Sequence, residues 1–530
     1  MKSFRHRADG TLHPERIREL GKTRLGWWPA NWQCPRVPNF IGAMAGLLLA
    51  GCAVGPDFNR PAAPAVADYT DHPLDPTATS TNTAGGEAQR FNHGGDIAGD
   101  WWALFHSKPL NDLIACALTN NPDLKAARAA LSVARENVLA QRGAYFPSMA
   151  GSFSASRARQ SAQLAPTPNY PAVPQEFQYN LFTPQVSVSY SPDVFGANRR
   201  SMESLKAQEQ SVRFQMIAAY TTLTANVVVA AIQAAAVQAQ IDATRQLVAL
   251  NSNMVEILRY QYAKGYAGRL DVVAQESQLA QVNAMLPPLL KQSAQLRDLL
   301  AVLGGRFPAE SPADKFELAS LHLPVEIPVS LPSQLVAQRP DVLQAEANLH
   351  AASAQIGIAT ANRLPNLTLT ADAGSTALAF DKLFSSGTGF WGLGAAASAP
   401  IFQGGQLLHQ ERAAKATYAE AAEQYRSIVL TAFQNVADTL AALEQDAEGL
   451  KAAAAAAADA QETLDLSQRQ WKDGYISYLA WLSAEQAFQQ ARINLVQAQA
   501  SRYADTAALF QALGGGWWHR ADLTKDKNDK

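Results

Sequence analysis

Two short stretches decide how this chain reads: "NNPDLKAARAAL" at residues 120–131 and "QRPDVLQAEANL" at residues 338–349. Each places Pro-Asp at the head of a helical pattern. Proline suits the first helical position, and an early acid suits the positive end of the helix dipole. Each pattern then runs to a second proline at the same spacing, Pro122 to Pro147 and Pro340 to Pro365. A duplication of this kind sets the architecture before any single residue does.

Working outward, each proline opens an alternating segment: "SFSAS" at residues 152–156, and "LTLT" at residues 367–370. A turn-rich loop follows, then a second alternating segment, "QVSVSYSPDVFG" from Gln185 or "GFWGLGAAASAPIFQGG" from Gly389. Period-two alternation predicts strands. Each half then enters a proline-free helical stretch, residues 198–262 and 407–472. At about 1.5 Å per residue such a helix reaches roughly 100 Å, beyond globular norms and suggestive of coiled coil. The stretches break at "YAKGYAGRLDVVAQ" and "WKDGYISYLAWLSAEQ", with the turn glycines Gly265 and Gly474 in matching places. A return helix follows each break and stops at paired glycines, Gly304-Gly305 and Gly514-Gly515. The expected fold is therefore mainly α with two helix-strand-strand-long helix-helix repeats.

The predicted strands are apolar on one face and polar on the other. Phe153 and Ala155 alternate with serines; Val186, Val188 and Tyr190 alternate with Ser187 and Ser189; Leu367 and Leu369 alternate with threonines. That pattern fits a transmembrane β-barrel wall with lipid outside and water inside, and it also fits a small soluble sheet with one buried face. Four strands cannot close a conducting barrel, and an open edge cannot sit in lipid. Three chains giving four strands each would make twelve. The long helices, rich in Ala, Gln and Ser with thin apolar stripes, suit side-by-side coiled-coil packing.

Composition narrows the classes. The 530 residues carry a formal net charge of −2 with 17% charged residues, so nucleic acid is not an expected partner. Cys34, Cys52 and Cys116 show no metal or disulfide spacing. "GKT" at Gly21 lacks the upstream glycine of a phosphate loop, and HExxH and GxSxG motifs are absent. No catalytic, cofactor or metal residues emerge, and the chain does not read as an enzyme. An apolar run from Phe40 ends in "LAGC" at residues 49–52, which resembles a bacterial lipoprotein processing box. The resemblance makes Cys52 the lipidated first mature residue; an ordinary signal peptide with a chance cysteine is the alternative.

"CAVGPDFNRP" from Cys52, "DWWALFHSKPLNDLI" from Asp100, the two Pro-Asp openings and the joints "SPDVFGANRR" and "APIFQGGQ" resemble TolC-type outer-membrane efflux factors of the NodT lipoprotein subgroup. The resemblance spans roughly residues 52–515. It implies a homotrimer with a twelve-strand barrel and a twelve-helix α-barrel. It further implies a lipid-anchored (palmitate-bearing) exit duct for drug efflux in the Gram-negative outer membrane. Its implied partners are a periplasmic adaptor and an inner-membrane pump, of RND type. The divisions expected are a signal peptide (1–51), an anchored segment along the helical barrel (52–105) and repeat 1 (106–305, strands about 148–157 and 183–193). A Pro-rich linker (306–332), repeat 2 (333–516, strands about 366–376 and 388–400) and a polar tail (517–530) complete them. The resemblance places both breaks at a periplasmic gate. Asp271 matches a family acidic position beside Arg269, Ser483 stands where relatives carry an aspartate, and Tyr475, Tyr478 and Trp481 are candidates to close the tip by bulk. A type I protein-secretion channel and, in a different class, a periplasmic helical scaffold lipoprotein are the competing readings.

Overall fold

The computed structural model describes residues 53–160, 177–310 and 316–524; the leader and Cys52 lie outside the described residues. A short strand, β1 (Arg90–His93), precedes the first repeat. That repeat comprises α1 (Lys108–Asn120), α2 (Pro122–Arg142), β2 (Ser148–Gln160), β3 (Phe177–Tyr190), α3 (Ala197–Ala263) and α4 (Arg269–Leu303). After β4 (Glu326–Val329), the second repeat follows as α5 (Pro332–Gln338), α6 (Pro340–Ala361), β5 (Asn366–Ser375), β6 (Gly389–Ser398), α7 (Gln406–Lys472) and α8 (Tyr478–Ala512). A terminal turn of helix, α9, spans Ala521–Thr524. The duplication is close: α3 and α7 each have 67 residues, and α4 and α8 each have 35.

The helix starts explain why the Pro-Asp pairs matter. The Asn121 side chain accepts hydrogen bonds from the backbone N–H groups of Asp123 and Leu124, at 2.9 and 3.1 Å, with Pro122 first in α2. Such a cap satisfies donors that the helix leaves orphaned. In the second repeat Arg339 occupies the cap position. Its guanidinium pairs with Asp341 at 2.6 Å and donates to the carbonyls of Ala432 and Ala512, tying α6 to α7 and α8. At the joint into α3, the Asp193 carboxylate accepts from the N–H groups of Asn198 and Arg199 (3.0 and 2.9 Å), and Gly196 turns the chain at φ +81°.

The main core lies where the two repeats meet. Trp101 and Phe105 insert against Phe510 and Tyr503 of α8, the Trp101 and Phe510 rings stacking at 5.2 Å. One window of α3 is apolar enough to cross a bilayer by composition, but 67% of it is buried inside this chain, which marks a core helix. The N-terminal segment wraps the same level. Arg200, 4% exposed, donates to the carbonyls of Val54 and Gly55 and pairs with Asp57 at 2.8 Å. Arg502, fully buried in α8, donates to Thr77 and to the Glu87 carbonyl.

Three expectations need correction. The segment 306–332 is not a free linker: Phe316, Leu318, Leu321 and Leu323 are buried in the core, and β4 pairs in parallel with β1. Its prolines disguised a short strand, which tolerates them where one edge is unpaired. The described part of 517–530 is not a loose tail, because Trp517 and Leu523 are buried and Arg213 donates to the carbonyls of Leu523 and Thr524. Strand β3 runs 177–190 rather than 183–193, and β6 389–398 rather than 388–400.

Trp101 is 1% exposed at the meeting point of both repeats. Trp101→Ala should lower unfolding stability by about 3–5 kcal/mol. A thermal unfolding curve that does not move would remove Trp101 from this role.

Candidate functional site: sheet wall and helical tip

Strands β2, β3, β5 and β6 form one antiparallel sheet in that order, so both repeats contribute to it. The register sorts the side chains into two faces. Met149 opposes Val188, Val186 opposes Ala373, and Ala373 opposes Trp391. On the other face Ser152 opposes Gln185, Ser187 opposes Asp372, and Asp372 opposes Gly392. One face is therefore apolar across all four strands, and the other carries serine, threonine, glutamine and Asp372.

Among the described residues nothing packs over the apolar face. Met149, Trp391 and Leu393 are 74%, 77% and 78% exposed. A soluble sheet would lay such a face on its own helices; here it stands open, which marks an interaction surface. At the end far from the helix joints, Phe380 packs edge-on against Phe153 and Phe182, at 6.3 and 5.8 Å. Aromatic residues of this kind border the apolar band of membrane barrels. The outer margins of β2 and β6 have no strand partner among the described residues.

At the opposite end the helices turn back. Gly265 and Gly474 take φ +80° and +76°, and a Cβ on either would meet nothing within 4 Å. The glycines are thus required by backbone conformation and not by crowding. Asp271 is the third residue of α4, and its carboxylate accepts from the Gly268 N–H at 3.0 Å. Arg269 is exposed beside it. In the second tip, Ser477 caps α8 through the Ala480 N–H at 3.3 Å. Asp271 lies six residues after Gly265, and Ala480 lies six after Gly474. The repeat equivalent of Asp271 is therefore Ala480. Ser483 is exposed, and its hydroxyl donates to the Leu479 carbonyl at 2.9 Å.

The aromatic candidates divide. Tyr475 is 81% exposed, as Tyr266 and Leu270 are on the first tip. Trp481, by contrast, is buried with Met254, Leu258 and Val272, and stacks on Trp471 at 5.5 Å. Tyr478 is half-buried beside it. Trp481 and Tyr478 therefore hold the helices together in this structure, and of the three only Tyr475 stands exposed. The reason is the register of α8: residues 478, 481 and 485 share the face turned to α3 and α4.

That face carries a polar chain that sequence reasoning missed. The Tyr478 hydroxyl donates to Gln275 Oε1, and Gln275 Nε2 donates to Asn251 Oδ1 at 2.8 Å. Asn251 and Gln275 are both buried. A signal was present, because each interrupts an apolar stripe: Leu247, Asn251, Leu258 on α3, and Val272, Gln275 on α4. Burial, and then the nearby Glu485, holds the Tyr478 phenol above its ordinary range. Arg259 of α3 pairs with Glu276 of α4 at 2.7 Å, and Arg492 of α8 donates to Gln246 of α3 at 2.9 Å.

A sequence profile described as outer membrane efflux protein matches residues 113–305 and 331–515, the two repeats. The chain belongs to the outer membrane efflux protein family. It is similar to the probable efflux pump outer membrane protein TtgC of Pseudomonas putida, 30% identical over 484 residues, covering 90% of this chain and 95% of that protein. It is also similar to outer membrane protein OprJ of Pseudomonas aeruginosa, at 29% identity over 89% of this chain and 94% of that one. The fold matches the Campylobacter jejuni CmeC outer membrane channel with a TM-score of 0.79 at 22% identity, covering 89% of this chain and 97% of that one. It matches the open state of the Neisseria gonorrhoeae MtrE outer membrane channel at 0.74 and 25% identity, over 88% and 99%. This efflux family member accordingly belongs to the Gram-negative outer membrane, with its long helices on the periplasmic side.

Tyr478→Phe removes the donor to a buried glutamine oxygen, which costs about 1–3 kcal/mol. Amide exchange in both tips should speed by roughly tenfold while helix content is unchanged. Unaltered exchange would show that this chain of bonds does not hold the tip.

Proposed function

We propose that this chain is one third of an outer-membrane exit duct for a tripartite efflux pump. The observation that carries the reading is the four-stranded sheet: apolar on one face, polar on the other and, among the described residues, with the apolar face uncovered and both margins unpaired. Strands β2 and β6 run in opposite directions, so β6 of one copy can continue antiparallel onto β2 of the next. Three copies close a twelve-strand barrel without leaving an edge in lipid. The long helices α3 and α7, about 100 Å each at 1.5 Å per residue, extend that barrel together with their shorter partners as a twelve-helix tunnel.

The duct supplies a sealed aqueous path and performs no chemistry. Energy comes from an inner-membrane pump, of RND type, reached through a periplasmic adaptor at the tip. Substrate choice rests mainly with the pump. Cys52, acylated, anchors the segment that wraps the helices from residue 53 onward. The groups at the tip, half-buried Asp271 with exposed Arg269 and Tyr475, are the gate side chains, with Gly265 and Gly474 allowing the turns. Three copies of Asp271 around an axis attract cations and repel each other.

Purified protein in a planar bilayer should give discrete, cation-favouring conductance steps. Asp271→Ala should raise conductance and weaken the cation preference. Absence of steps would remove the channel. Steps with unchanged selectivity in the variant would remove Asp271 from the constriction.

A further inference from the structure

Glu485 lies two turns into α8, 2% exposed. Neither carboxyl oxygen has a hydrogen-bond partner among the described residues, and both are sealed from solvent. Trp481 and Gln489 precede and follow it by one turn on the same buried face, and Trp481 Nε1 and Gln489 Oε1 are likewise unpartnered. Of the donors along this seam, the Tyr478 hydroxyl is committed to Gln275 and the Gln275 amide to Asn251, while the Trp481 indole N–H reaches no acceptor.

The charged groups on the helices around it are also engaged or turned away. On α3, Asp242 pairs with Arg245, Arg259 pairs with Glu276 of α4, and Glu256 is exposed. On α4, Asp271 caps Gly268. On α7, Asp459, Glu462 and Asp465 are exposed. On α8 itself, Arg492 donates to Gln246. An isolated carboxylate cannot stay ionised in such a place at low cost. Burial is complete within one chain, so a neighbouring copy cannot reach these oxygens to neutralise them.

We propose that Glu485 is a proton-binding latch: the tip packs closed around a neutral carboxyl, and loss of that proton drives α8 apart from α3 and α4. This rests on the exit-duct reading for its functional consequence, though not for the packing. The closed seam holds a neutral carboxylic acid, which costs far less to bury without a partner than a carboxylate does. Opening wets the seam and lets the acid ionise. The proton is released to water and no other group changes.

Burial pushes the Glu485 carboxyl up to about 7, against an ordinary value of 4.5. The sign follows from linkage: a raised value in the closed state means that closure takes up a proton, so acid favours closure and alkali favours opening. Between about pH 5.5 and about pH 8.5 the open-to-closed ratio should rise by at least ~10-fold.

The test compares the full-length wild type with Glu485→Gln, which stays neutral at every pH. Open probability in planar bilayers should rise with pH in the wild type and stay flat in the variant. Thermal stability should fall toward alkaline pH more steeply in the wild type. Asp446, whose carboxyl burial and Asp505 also raise to about 7, is present in both proteins, so the difference isolates Glu485. Identical pH profiles in the two proteins overturn the latch. If the variant fails to fold, amide exchange of residues 478–490 in the wild type decides, after correction for intrinsic rates. Protection that collapses above about pH 7 supports the latch, and constant protection overturns it. Protein that shows the exchange and stability differences but never conducts refutes the duct, not the latch.

Discussion

A sheet edge cannot be left unpaired in hydrocarbon, and every large feature of this chain answers to that constraint. Among the described residues, the four strands leave the outer margins of β2 and β6 without a strand partner. The alternating side chains make the same point across the sheet, since a face bearing Trp391 and Leu393 in the open is stable only against lipid. The strands come in pairs from two repeats, and the antiparallel order β2-β3-β5-β6 places one repeat's pair beside the other's.

The helices beneath serve the same geometry. Each 67-residue helix departs from its strand at a glycine in the left-handed region, Gly196 or Gly405. The joint in the first repeat is fixed by Asp193, and Arg200 one turn on clamps the N-terminal segment. Halfway down, the aromatic cluster of Trp101, Phe105, Tyr503 and Phe510 locks the repeats together. Stability concentrates at this middle level, while the tip relies on a few aromatics and a thread of amide hydrogen bonds. A region with few buried contacts is where motion is cheapest.

Much of this was legible before any coordinates. The equal spacing of Pro122–Pro147 and Pro340–Pro365 exposed the duplication, and the serine and threonine alternation exposed the strands. What stayed hidden depended on contacts distant in sequence. The prolines of 306–332 masked β4, whose partner β1 lies more than two hundred residues earlier. The polar lettering after Gly516 masked Trp517 and Leu523 as anchors. At the tip, composition could name Tyr478 and Trp481 but not the face they occupy. That face is set by the helical register relative to α3, and it turned two candidate plugs into packing residues. Glu485 carries no such signal in the sequence, because only burial reveals an acid without a partner.

The most direct test of the account is the number of chains in the membrane-extracted particle, read by native mass spectrometry from detergent or nanodiscs. The account predicts three copies, held together through the strand margins and resistant to dissociation until heated. A particle that remains a single chain in lipid would leave the margins of β2 and β6 exposed to hydrocarbon, and would contradict it.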